Sequence, residues 1–127
     1  MIRRYLETPS ESLEACALIK WVNTQANIRD YFVHIPNEGK RSVVAGRLMV
    51  IMGLKRGVSD YFLAYPVNPF HGLWLELKRT GRRSRVSAEQ LMWQERTRKV
   101  GYMSVTAYGW EQAKEFIEEY LRGQDGL

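Results

Sequence analysis

Two apolar segments joined by a turn rich in Pro, Asn and Gly constrain this chain more than any other feature of its sequence. The first segment, 60–65, opens with Asp60, and the second, 73–78, closes with Glu76, Leu77 and Lys78. The residues between them, 66–72, indicate a hairpin loop, so the two segments are predicted to be neighbouring antiparallel strands. Because the start of one hairpin strand lies beside the end of the next, we expect Asp60 and Glu76 to meet at one edge of a sheet.

The two acids and the lysine of this hairpin form a candidate catalytic site. Glu76 and Lys78 are two residues apart in a strand, so they project from the same face. Carboxylate oxygens suit Mg²⁺ or Mn²⁺, and either ion would activate a water molecule for attack on a phosphodiester. Lys78 would orient that water or offset the developing negative charge. The structural alternative is that Asp60 caps its strand and Glu76 pairs with Lys78 or with an arginine at the end of the sheet.

Two carboxylates are few ligands for a metal ion, so a third ligand is expected from the first predicted helix. Thr8 is predicted to be the N-cap of that helix, with Pro9 at the first helical position and Glu11 as the capping-box acid. Glu14 has no such explanation and has apolar neighbours, so Glu14 is the acid that we expect at the metal. The alternative is that Glu14 is a partly exposed surface residue.

A later helix, predicted to begin after a Ser87 cap, supplies Gln90. Its side-chain amide is a candidate to contact the substrate or the water network around the metal, and the alternative is an exposed helix glutamine. The single cysteine and the two distant histidines do not form a zinc-binding pattern. P-loop and Rossmann glycine signatures are absent as well.

The remaining pattern predicts an α/β fold with a small central sheet. Helices are expected at 8–27, 42–52, 87–100 and 109–121, and strands at 31–35, 60–65, 73–78 and 102–108. The element order is therefore α-β-α-β-β-α-β-α, which is typical of a mixed α/β domain.

Composition limits the classes of partner. The chain has 127 residues, a size typical of one domain, and a formal net charge of +5 that suits a polyanion. Basic residues concentrate in 40–56 and 78–99, while 111–125 is acidic. Cys16 has no second cysteine to pair with, which indicates a reducing compartment or indifference to redox state. The sequence shows no signal peptide and no apolar run long enough to cross a membrane.

Four motifs, in this order, resemble those of VRR-NUC domains, the virus-type replication-repair nucleases of the PD-(D/E)xK superfamily. They are H-I-P-N-E-G-K-R at 34–41, G-V-S-D-Y at 57–61, L-E-L-K at 75–78 and S-A-E-Q-L-M-W at 87–93. The resemblance covers nearly the whole chain, as one VRR-NUC domain over 1–127, and implies a restriction-endonuclease-like fold. Ser59 stands where the superfamily name has a proline, which shapes the strand entry and binds no metal.

The resemblance also implies roles for individual residues. Asp60 and Glu76 would be metal ligands, with the carbonyl oxygen of Leu77 completing the metal shell. Lys78 would be the catalytic lysine, Glu14 the helix acid and Gln90 the polar residue of the following helix. Asn37 and Arg41 would contact the substrate or support the site.

These observations together predict a Mg²⁺- or Mn²⁺-dependent, structure-selective DNA endonuclease that takes no small-molecule cofactor. We expect the basic segments to hold DNA phosphates; their members are Asn37, Lys40, Arg41, Lys55, Arg56, Arg79, Arg82, Arg83 and Arg85. The resemblance to small phage and bacterial members implies a homodimer acting on branched DNA or junctions in the cytoplasm of a bacterial or phage-infected cell. The face of the last helix and the edge of strand 31–35 are the two possible dimer surfaces. The alternatives are a catalytically silent nucleic-acid-binding module and an RNase with the same site.

Overall fold

A computed structural model describes residues 10–36, 42–81 and 85–123. The elements follow the predicted order: α1 (Glu11–Val22), β1 (Phe32–His34), α2 (Val43–Ile51), β2 (Tyr61–Leu63), β3 (Leu73–Lys78), α3 (Ala88–Lys99), β4 (Met103–Tyr108) and α4 (Trp110–Arg122).

The four strands form one mixed sheet in the order β1-β2-β3-β4. β1 and β2 are antiparallel, as are β2 and β3, which confirms the predicted hairpin. β3 and β4 are parallel, and α3 provides the crossover that parallel neighbours require. The α/β class with a small mixed sheet is therefore confirmed.

The hydrophobic core lies on one face of the sheet. Alternate residues of β3, Leu73, Leu75 and Leu77, are almost completely buried, because residues two apart share a face. They belong to the same buried cluster as Leu18 of α1 and Ile117 of α4. The apolar face of α4 is thus part of the core and cannot form the dimer surface that the sequence suggested; the edge of β1 remains open to that role.

The start of α1 differs from the prediction. Ser10 is the N-cap: its backbone is extended and its hydroxyl accepts a hydrogen bond from the N–H of Leu13. Glu11 is therefore the first helical residue rather than the capping-box acid of a helix capped by Thr8. Thr8 and Pro9 themselves lie outside the described residues. The helix also ends earlier than predicted, at Val22, where the Asn23 cap begins a series of turns.

Helix α2 is almost wholly apolar and has no buried residue. Its large side chains are mostly exposed, from Leu48 at 54% to Ile51 at 80%. Ser42 caps its N-terminus by accepting a hydrogen bond from the N–H of Ala45. An apolar helix that faces solvent on this scale is typical of an interaction surface. Among the described residues, no helix is long and apolar enough to cross a membrane.

Candidate active site

Asp60 lies against the end of β3, as the hairpin predicted. Its carboxylate oxygen Oδ2 accepts a hydrogen bond of 2.8 Å from the backbone N–H of Leu77, and only 7% of the residue is exposed. The register that pairs Tyr61 with Leu75 places Asp60 beside Glu76 when it is continued by one residue. The Asp60 carbonyl accepts hydrogen bonds from the N–H of Ile35 and from Nδ1 of His34. Asp60 is thus held through both its backbone and its side chain.

Glu76 is 1% exposed and its oxygen Oε2 has two polar neighbours. The ammonium of Lys78 lies 3.6 Å from this oxygen, and the side-chain amide of Gln90 donates a 2.9 Å hydrogen bond to it. A buried carboxylate is costly without such partners. The prediction that Glu76 and Lys78 share a face is confirmed, and Gln90 contacts Glu76 directly.

The orientation of Gln90 follows from the capping box of α3. Its Oε1 accepts from the N–H of Ser87 at 2.8 Å, and the Ser87 hydroxyl accepts from the N–H of Gln90. Because Oε1 is used by the cap, the amide nitrogen is directed to Glu76. The same residue therefore starts the helix and positions a carboxylate of the site.

Gly57 brings the basic loop before β2 against this helix start. Its φ is +87°, and a Cβ atom there would overlap the backbone carbonyl of Glu89. Only glycine allows both that backbone angle and that approach. Lys55 and Arg56, both exposed, are consequently held near the N-terminal turn of α3, which carries Gln90.

Glu14 is buried, at 3% exposure, but its contacts lead away from Asp60 and Glu76. Its Oε2 accepts a 3.0 Å hydrogen bond from the N–H of Thr80 and a second one from the Thr80 hydroxyl. Its Oε1 accepts a long hydrogen bond of 3.4 Å from the N–H of Trp110, the first residue of α4. Glu14 therefore joins α1, the segment that follows β3 and the start of α4. Its role as a metal ligand stays a prediction without support from these contacts.

Glu11, rather than Glu14, lies on the same side as Asp60. Both line a cavity of about 810 Å³ that also includes Leu77 and Tyr61. Burial, then the negative charge of Asp60, with smaller contributions from Cys16 and Glu11, raises the pKa of Tyr61 to about 12. Tyr61 is therefore a neutral hydroxyl at physiological pH. The sequence argument set Glu11 aside as the capping-box acid of a Thr8 cap. Ser10, a second N-cap residue type two positions later, was the signal for a different helix start.

The predicted donor set is made of oxygen. The predicted ligands are the carboxylates of Glu14, Asp60 and Glu76 and the carbonyl of Leu77, and hard oxygen donors of this kind fit Mg²⁺ or Mn²⁺. No three acidic, histidine or cysteine side chains within 10–36, 42–81 and 85–123 are grouped closely enough to hold a metal ion by themselves. Backbone or substrate oxygens would therefore have to complete the metal shell.

The predicted phosphate-binding residues are placed only in part. Lys55, Arg56 and Arg85 are exposed, and Arg79, directly after β3, is half-buried. The other predicted members lie outside the described residues: Asn37, Lys40, Arg41, Arg82 and Arg83.

Comparison with known proteins supports the fold. No family model and no curated protein matches this chain. A solved structure described as a VRR_NUC domain protein superposes with a TM-score of 0.81, covers 91% of this chain and 91% of its own, and is 24% identical in sequence. The fold of this chain is therefore that of a VRR-NUC domain, as its four motifs predicted.

Proposed function

We propose that this protein is a metal-dependent DNA endonuclease of the VRR-NUC type, acting in the cytoplasm of a bacterial or phage-infected cell. The single observation that carries the proposal is the junction of Asp60 with the end of β3. There, Asp60 and Glu76 are both buried, the Asp60 carboxylate accepts a hydrogen bond from the N–H of Leu77, and Lys78 lies 3.6 Å from Glu76. Buried acids on neighbouring strands with a lysine beside them have a clear use in phosphodiester hydrolysis and are costly otherwise.

Each residue of the site has a distinct part in that reaction. Mg²⁺ or Mn²⁺, when bound, would supply an activated water and neutralise charge on the phosphate. Gln90 and Lys78 keep Glu76 oriented, and the Lys78 side chain is 12% exposed, so it remains within reach of a substrate oxygen. A fixed cation in a water-poor site stabilises developing negative charge without reorganisation.

The helix acid of this site is, we infer, Glu11. Glu11 and Asp60 line the same cavity, whereas the carboxylate of Glu14 is used by Thr80 and Trp110. Glu11 is half-buried at the start of α1 and faces the cavity that Asp60 lines.

DNA would approach across the basic loops beside the site. Lys55 and Arg56, fixed through Gly57 near Gln90, and Arg79 and Arg85, on either side of the next loop, would contact phosphates. Such contacts position DNA without reading its sequence and weaken as salt rises. This arrangement favours selection of substrates by shape.

The second copy of a homodimer would pack on α2. Its exposed apolar side chains include Val44, Leu48 and Ile51, which recur at helical spacing, and a two-fold axis would place this helix against itself. Replacing Leu48 and Ile51 by Glu is expected to give a monomer in light scattering with an unchanged melting temperature. Leu91→Glu on α3 is the matched control, since Leu91 and Leu48 are both 54% exposed; a dimer that survives the α2 substitutions would exclude this interface.

The test of activity is a cleavage panel of single-stranded, duplex, flap and four-way-junction DNA with Mg²⁺ or Mn²⁺. Asp60→Asn and Glu76→Gln keep the side-chain shape and are expected to abolish cleavage, while Glu95→Gln, at an exposed position on α3, should cut like the wild type. If either site variant retains full activity, the assignment is wrong. DNA binding in EDTA without cleavage under either metal would instead indicate a silent binding module, and cleavage of matched RNA alone would indicate an RNase.

A further inference from the structure

The cavity beside Asp60 is a groove that follows one face of α1. Its helical wall contains Glu11, Ala15, Ile19 and Asn23, which recur every four residues and so form one stripe. At a rise of about 1.5 Å per residue, this stripe is about 18 Å long. The groove therefore extends well beyond the carboxylates, which lie at one end of it.

The opposite wall comes from the edge of the sheet. His34, Ile35 and Pro36 line it, and Tyr61 lines the groove between this wall and the helix. These surfaces are mostly carbon and ring atoms. Lys20, an exposed cation on the helical wall, lies about two and a half turns from Glu11. The groove thus has acids at the end near the site and a cation toward the other end.

We propose that this groove binds an unpaired stretch of DNA that leads away from the bond to be cut. The inference rests on the proposed nuclease function, and it identifies the unpaired strand as the part of the substrate by which the enzyme selects DNA structures. Apolar and aromatic walls contact bases regardless of sequence, and Lys20 can contact a phosphate along the path. The two acids of the groove, Glu11 and Asp60, are those that we assign to the metal site, where a bound ion would offset their charge.

The dimensions of the groove favour a single strand over a duplex. A volume of about 810 Å³ spread over about 18 Å of helix gives a mean cross-section of about 45 Å². A double helix, whose major groove alone is about 12 Å wide, is wider than this space, so we expect a duplex to lie across the mouth of the groove rather than inside it. A paired substrate would have to expose an unpaired end or flap before its strand could occupy the groove.

The single cysteine of the chain gives a direct test, because Cys16 is exposed and lines this groove. The rate of Cys16 alkylation by N-ethylmaleimide is measured in EDTA, where no cleavage occurs, with each DNA at a concentration that saturates binding by fluorescence anisotropy. Single-stranded and flap DNA are expected to slow alkylation at least fivefold, and blunt duplex less than twofold. The readout does not depend on catalysis, so it remains valid if the protein proves catalytically silent.

Two charge-reversal variants locate the contact. Lys20→Glu is expected to remove most of the protection, whereas Arg122→Glu, an equal charge change on the exposed end of α4, should leave it intact. Equal protection by blunt duplex, single-stranded DNA that binds without protecting Cys16, or protection by RNA but not by DNA would each overturn the proposal. Failure of the nuclease proposal would show separately, as absence of cleavage by the wild type.

Discussion

Glu14 and Glu11 are three residues apart on one helix, and we predict that Glu14 stabilises the fold while Glu11 serves cleavage. Replacing each of them by alanine distinguishes the two roles. The Glu14 carboxylate is buried and accepts hydrogen bonds from the N–H and hydroxyl of Thr80 and from the N–H of Trp110. Glu11 is half-buried at the mouth of the groove. We therefore expect Glu14→Ala to reduce stability and Glu11→Ala to reduce cleavage.

The size of the Glu14 effect follows from its contacts. A hydrogen bond to a charged group contributes about 1.5–3 kcal/mol, and Glu14 accepts two from Thr80 besides the long one from Trp110. The start of α4 has Gly109 as its N-cap and no side-chain cap, so a carboxylate near it adds about 0.3–1 kcal/mol. The donors of Thr80 and Trp110 are only part-buried, so water replaces part of the lost contacts and the total cost is about 2–4 kcal/mol.

The measurement is urea unfolding of the metal-free protein in EDTA. Glu14→Ala should lower the free energy of unfolding by that amount, and Glu14→Gln by less, because the amide oxygen still accepts from one donor. Glu11→Ala should change it by less than about 1 kcal/mol, the contribution of an acid in the first turn of a helix, while cleavage is lost.

One pattern of results would refute this reasoning. If metal-free Glu14→Ala is as stable as the wild type but does not cleave, and Glu11→Ala still cleaves, then Glu14 is the ligand after all. In that case the contacts to Thr80 and Trp110 would be exchanged for metal contacts on binding.

Three further outcomes are expected. Gly57→Ala should lower the melting temperature, because the positive φ alone costs about 1–2 kcal/mol and the new Cβ overlaps a backbone carbonyl of α3; an unchanged melting temperature would contradict that close approach. Gln90→Ala should slow cleavage about tenfold, because it releases Glu76. Ser87→Ala removes the cap alone, so it should cost about 1 kcal/mol of stability and leave the cleavage rate unchanged. Equal losses of cleavage rate in the two variants would assign the effect to the helix rather than to Glu76. Burial and the charge of Asp60 raise the pKa of Tyr61 to about 12, above its unfolded value of about 10, so the stability linked to its proton is present below about pH 10 and is lost as pH rises toward 12. Tyr61→Phe should therefore flatten the decline of the unfolding free energy between about pH 10 and 12. If the unfolding free energies of the variant and the wild type decline in parallel over this range, Tyr61 is not the group responsible.

Much of the fold was determined by local sequence. The Ser87 cap, the bounds of β3 and the hairpin between β2 and β3 were predicted and are confirmed, because caps, turns and strand alternation depend on residues only a few positions apart. The pairing of Glu76 with Lys78 on one face follows from the same two-residue period. Local chemistry was misleading at both ends of α1: the N-cap is Ser10 rather than the predicted Thr8, and the helix ends at Val22 rather than near Asn27.

The tertiary structure decided which acid of α1 faces which partner. Packing of Leu18 and Val22 into the core sets the rotation of the helix, and that rotation places Glu14 toward α4 and Glu11 toward Asp60. A helix carries acids on several faces, and only contacts between distant segments select one of them. For the same reason the groove along α1, and the exposure of α2, could not be read from the sequence: each depends on which surfaces the rest of the chain covers and which it leaves open.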